Sequence, residues 1–164
     1  MTGSRMKLAG VVGLALSAVV VALAANTAKG TATYKTSTKP VTVTFTHAYL
    51  MKGPDVVSGT TIRRLVLATN DLSAALKACQ NMMCSSDMME GLTVDFDAGP
   101  RLNYWFVANG QKVQYSGTAV PTVATLTTDS PTRLAGTLNI DGTQAGGPKV
   151  QVEFDATLVK EITK

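Results

Sequence analysis

A single histidine, His47, stands among the 164 residues, beside two cysteines and one tryptophan. That scarcity removes whole classes of chemistry. Any Ser-His-Asp or Cys-His nucleophilic set would have to run through His47. No G-x-S-x-G elbow, H-E-x-x-H pair or phosphate-cradling glycine loop is present. No cysteine follows the N-terminal apolar run, which sets aside a lipid anchor. There is no strand–helix–strand rhythm and no internal repeat, so a parallel α/β architecture is not indicated. What remains is β-rich, and its compartment is written at the front.

Residues 1–24 have the three parts of a secretory signal. Arg5 and Lys7 supply the positive start, Leu8 to Leu23 the apolar run, and Ala22-Leu23-Ala24 the small-x-small cleavage site. The run approaches the roughly 20 apolar residues of a membrane span. Two glycines, a serine and the cleavage motif favour removal, leaving no stable membrane span. Without Arg5 and Lys7, thirteen basic residues face eleven acidic ones, and the net charge falls from +4 to +2. Basic residues are scattered singly apart from Arg63–Arg64, so no nucleic-acid footprint exists. A periplasmic or secreted location follows, and an oxidising compartment makes two cysteines read as one disulfide.

Residues 25–40 are rich in Thr, Lys and Ala without apolar periodicity and read as a flexible leader, at most a frayed strand. Residues 41–164 read as one domain. Val41, Val43, Phe45, His47, Tyr49 and Met51 alternate with polar and small residues as one face of a long strand, stopped by Gly53-Pro54-Asp55. Ile62 to Thr69 is the next strand. After an insertion come strands at Leu92 to Phe96, Leu102 to Ala108 and Gln111 to Ser116. Asn109–Gly110 between the last two marks a hairpin turn. Val120 to Thr128, bounded by prolines, reads as an edge, and Arg133 to Asp141 with Lys149 to Lys160 close the chain as a hairpin. Seven to eight strands with one short helix predict an all-β fold, an antiparallel β-sandwich, with a small barrel as runner-up.

The insertion, residues 70–90, holds the one helix. Asn70 or Asp71 can cap it, and Leu72, Ala75, Leu76, Cys79 and Met83 share its inward face. Cys79 and Cys84 lie five apart, so an unbroken helix would keep them from bonding. A turn near Gln80–Asn81 resolves this and lets the disulfide form. Cys79, Met82, Met83, Cys84, Met88 and Met89 also gather soft sulfur ligands of the kind that select Cu(I). That is the alternative to a disulfide with methionine packing, since oxidised cysteines are lost as ligands.

Thr46–Tyr49 reads T-H-A-Y within the first long strand, and the last strand carries F-x-A at Phe154-Asp155-Ala156. In both features the chain resembles uncharacterised small secreted bacterial proteins. The resemblance implies an exported, β-rich bacterial protein and brings no activity with it.

Other candidates have plain structural readings. His47 shares a strand face with Phe45 and Tyr49, as a core or rim histidine would. Asp95 with Asp97, and Glu153 with Asp155, could form a glycosidase couple or a calcium site. A solvent-facing strand side, with Arg101 or Lys149 relieving repulsion, explains them as well. Tyr104, Trp105 and Phe106 are consecutive, so Tyr104 and Phe106 share one face and Trp105 takes the other. The function expected is therefore a non-enzymatic exported binding or accessory domain, without cofactor or metal. Its contact to a protein or surface partner would use Met82, Met83, Met88 and Met89 or Tyr104 and Phe106.

Overall fold

Alternating β-branched and aromatic residues build strands here, and the turn residues between them set the hairpins. The computed structural model describes residues 26–37, 39–87, 90–108, 110 and 114–163. The strands are β1 (Thr27–Lys35), β2 (Pro40–Pro54), β3 (Thr61–Ala68), β4 (Gly91–Phe96), β5 (Leu102–Val107), β6 (Tyr115–Ala119), β7 (Ala124–Ser130), β8 (Arg133–Asp141) and β9 (Lys149–Glu161). Two short helices, α1 (Ser73–Ala78) and α2 (Cys84–Asp87), lie between β3 and β4.

Among the described residues all nine strands form one sheet, in the order β6-β5-β4-β3-β2-β1-β9-β8-β7, each neighbour antiparallel. The all-β class expected from the sequence is therefore what the chain adopts. Its layers are not two separate sheets but one sheet curled into a half-barrel. The curl wraps one apolar face around a core that includes Phe45, Leu65, Leu92, Phe106, Leu138 and Phe154. Burial of each such side chain contributes about 1.5–3 kcal/mol. Tyr34 on β1 and Phe106 on β5 meet across this core with ring centroids 5.8 Å apart. The two end strands, β6 and β7, are joined through only Val120 and a 3-10 turn at Pro121–Val123, so the ends of the sheet come back to each other.

The leader expected over residues 25–40 is instead β1, a central strand between β2 and β9. Its inward positions are Ala28, Gly30, Ala32 and Tyr34, the first three too small to give an apolar pattern. Gly30 has to be small. A Cβ on Gly30 would collide with the Gln151 carbonyl of the neighbouring β9, so the tight packing of β1 against β9 excludes larger residues there.

Where β1 begins, three strands become two. Beyond that point Tyr49 to Lys52 of β2 pairs directly and in parallel with β9. Asn26 occupies the fork with φ of +69°, one of the few residue types that tolerates it. Its N–H donates to the Asp155 carbonyl at 2.7 Å, and its Oδ1 accepts from both the amide and the hydroxyl of Thr157 at 2.9 and 2.8 Å.

The face assigned to β2 also changes along its length. Val43 and Phe45 enter the inner core, but so do Ala48 and Leu50, while Tyr49 and Met51 join a second cluster on the outer face. The change of phase falls beside an irregularity in the pairing with β1, where Ala28 and Lys29 stand against Thr46 alone. At the β5–β6 hairpin Phe106 stands opposite Tyr115. Gly110 has φ of +68°; Asn109 and residues 111–113 lie outside the described residues.

Candidate functional site

The outer face of the sheet divides into a covered half and an open half. The insertion between β3 and β4 covers the outer side of β2 and β3 and the C-terminal end of β9, where Val159 packs against it. Asp71 starts it: its Oδ1 accepts from the Ser73 amide (2.8 Å) and from the Tyr49 hydroxyl (2.6 Å), while that hydroxyl accepts from the Leu72 amide (3.1 Å). Burial first and this bond to Asp71 second raise the Tyr49 hydroxyl to about 12. The Tyr49 and Ser73 donors lower Asp71 to about 2.

α1 ends at Ala78, and Cys79 is already extended with ψ of 136°. The break lets the chain turn back, and Cys79 and Cys84 form the expected disulfide with Cα atoms 5.8 Å apart. It also rotates the next residues. Met82, not Met83, enters the second cluster with Leu76, Tyr49, Met51, Ile62 and Val66. Met83 is 51% exposed and Met82 only 1%. Met88 and Met89 lie outside the described residues.

Beneath this cover sits an ion pair that the sequence reading placed in solvent. Arg64 on β3 is opposite Asp95 on β4, and donates to it through Nε at 2.6 Å and Nη2 at 2.8 Å. Both residues are buried. Burial raises the Asp95 carboxyl above its ordinary value despite the opposing pull of Arg64. Arg64 Nη1 donates to the Met82 carbonyl at 2.5 Å, and its guanidinium lies 5.4 Å from the centre of the Trp105 ring. Asp95 and Asp97 do not act as a pair: Asp97 binds Arg63 instead, at 2.6 and 2.9 Å.

Tyr104 and Phe106 point the other way, into the inner core, with 2% and 0% exposure. As contact residues they are therefore corrected. The strand is covered on both faces, and Trp105 takes the outward side, half-buried.

The open half comprises the outer faces of β1, β8 and β7 and the N-terminal part of β9. Cross-strand rows are short and polar: Lys29, Glu153, Thr137 and Thr125 stand in one register, and Thr31, Gln151 and Asn139 in the next. A groove of about 500 Å³ runs here, walled by Thr27, Lys29, Thr127 and Arg133. Gly136 makes its floor: φ is +150°, and a Cβ would meet the Thr125 carbonyl. Arg133 grips Asp155 with two parallel bonds, 2.8 and 2.7 Å, yet stays 45% exposed. Bonding to Asp155 raises the Arg133 guanidinium further above its ordinary value. So Asp155 serves Arg133, and only Glu153 of that carboxylate pair faces solvent.

His47 is a rim residue, as its strand position suggested. It stacks on Tyr49 with centroids 6.1 Å apart, and its Nδ1 is 2.8 Å from Thr46 Oγ1. With Asp71 and Ser73 it borders a shallow pocket of about 310 Å³. The bonds of Asp71 there go to Tyr49 and the Ser73 amide. Among the described residues no group of three or more His, Cys, Asp or Glu is arranged to hold a metal, and the disulfide engages both thiols of the soft-ligand set.

Sequence reading named Asp95 and Asp155 but missed Arg64 and Arg133 as their partners. The signal available was two carboxylate pairs on strand faces; which arginine stands opposite each depends on register. No protein-family model, no curated protein and no solved structure matches the chain.

Proposed function

We propose that this chain is an exported, non-enzymatic β domain that binds a polar partner through the open outer face of β1, β8, β7 and the N-terminal part of β9. One observation carries the reading. The covered half of the outer face buries its charges as the Arg64–Asp95 pair, with Thr93 Oγ1 buried and unbonded beside them, whereas the open half presents a grooved, side-chain-lined surface around Arg133. An exposed guanidinium held rigid by Asp155 is a pre-organised donor, which loses little freedom on binding. The flanking threonines can both donate and accept. Exposed large apolar side chains among the described residues are scattered instead: Val56 and Val57 on the β2–β3 turn, Met83, and Val120. They support no single apolar contact surface.

The test is binding of purified protein to envelope fractions of cells that express it. Arg133→Glu should abolish retention, and Met83→Lys should leave it intact. Retention lost with Met83→Lys and kept with Arg133→Glu would place the contact on the insertion and refute the proposal.

A further inference from the structure

The sheet holds main-chain atoms of the insertion at Leu72, through the Tyr49 hydroxyl, at Lys77, through Lys160, and at Met82, through the buried Arg64. The Met82 carbonyl accepts from Arg64 Nη1 at 2.5 Å and from Ser85 Oγ at 3.1 Å. It belongs to the loop closed by Cys79 and Cys84. Arg64 is fixed from its other side by Asp95. A disulfide ring this short removes little entropy from the unfolded chain. Its main effect is local: it sets where the Met82 carbonyl and thioether lie.

We infer that the Cys79–Cys84 disulfide is a redox latch. Closed, it seats Met82 on the Arg64–Asp95 pair and on the apolar floor of Tyr49, Ile62 and Val66. Reduced, it releases residues 79–85 from the outer face. Access is unequal, since Cys79 is 3% exposed and Cys84 is half-buried, so an incoming thiolate reaches Cys84 Sγ. That attack forms a mixed disulfide with Cys84 and expels Cys79 as a thiolate, which takes up a proton. The second thiol of a dithiol reductant then attacks the mixed disulfide. Cys84 leaves as a thiol and the reductant becomes its own disulfide, so two electrons and two protons pass to the protein.

Opening stays local because the inner core contains no residue of the insertion. The buried Arg64 exchanges one fixed carbonyl for water and keeps Asp95. Local release of this kind costs less than global unfolding and has its own exchange signature.

Trp105, the sole tryptophan, lies against Arg64 and reports on the latch. The full chain, with and without dithiothreitol, is followed by tryptophan emission and amide hydrogen exchange, with alkylation proving reduction. On reduction the emission should move to longer wavelength, and amides from Leu76 to Ser85 should exchange about tenfold faster or more. Amides of Val43, Leu134 and Val152 should not change, and reoxidation should restore the first state. A Cys79→Ser/Cys84→Ser variant should match the reduced chain without reductant; if it does not fold, reduction of the wild-type chain decides. Unchanged emission and exchange in the fully reduced protein would overturn the latch. Loss of protection in both regions together would do the same, making the bond a support of the whole fold.

Discussion

Arg63 and Asp129 are joined by a 2.5 Å hydrogen bond although β3 and β7 stand five strands apart in the sheet. The same guanidinium holds Asp97, at φ of +69° just past β4, through two further bonds. One arginine therefore ties the middle of the sheet to its far edge across the mouth of the curl. Its neighbour Arg64, one residue on, faces the other side and holds the insertion.

Arg63→Ala should lower stability by about 1–2 kcal/mol, a charge-assisted pair discounted for its half-exposed carboxylates. The urea midpoint reads this directly. An unchanged midpoint would mean that the curl is closed by apolar packing alone.

Asp95→Ala should cost more, about 3–5 kcal/mol, because it strands a buried guanidinium. Replacing both partners, Arg64→Met with Asp95→Leu, should cost less than the single change. A double-mutant cycle with additive losses would contradict the coupling.

Strands whose apolar residues alternate were legible in the sequence, and β8 and β9 begin where that reading put them. β1 was not, because Ala28, Gly30 and Ala32 leave little hydrophobic signal, and the close approach of β9 holds position 30 to glycine. The strand of Tyr104 to Phe106 is apolar on both faces, so alternation could not say which side was inward. Met82 and Met83 exchanged places because the helix breaks at Ala78, a detail of one ψ angle. The arginine–aspartate pairs stayed hidden for a different reason: they depend on strand register, which periodicity does not specify.

Acid should weaken the bonds of Asp71 to Tyr49 and Ser73 in a defined window. Its carboxyl ordinarily titrates at 3.8, and the Tyr49 hydroxyl and Ser73 amide hold it at about 2 in the folded chain. A folded value below the unfolded one gives stability present above 3.8 and lost as pH falls toward 2. Asp71→Asn should therefore flatten the acid limb of the stability curve in that interval. An identical slope in the variant would exclude Asp71 as its source.

N-terminal processing should leave Asn26 in place. Its main chain and side chain fill the fork between β2 and β9, so a cut beyond it would open the sheet centre. Mass spectrometry of protein recovered outside the cytoplasm should find a chain beginning at Ala25 or Asn26. A chain starting inside β1, or one retaining Met1, would contradict this.

Site-specific photo-crosslinking tests the binding reading most directly. A photoreactive residue is placed at Thr127, beside the Arg133 groove, or at Met83, on the insertion, and irradiated in the cells that express the protein. The expected result is a discrete adduct from Thr127 and none from Met83, with the Thr127 adduct lost when Arg133→Glu is added. An adduct from Met83 alone, or from neither position, would contradict the open face as the contact surface.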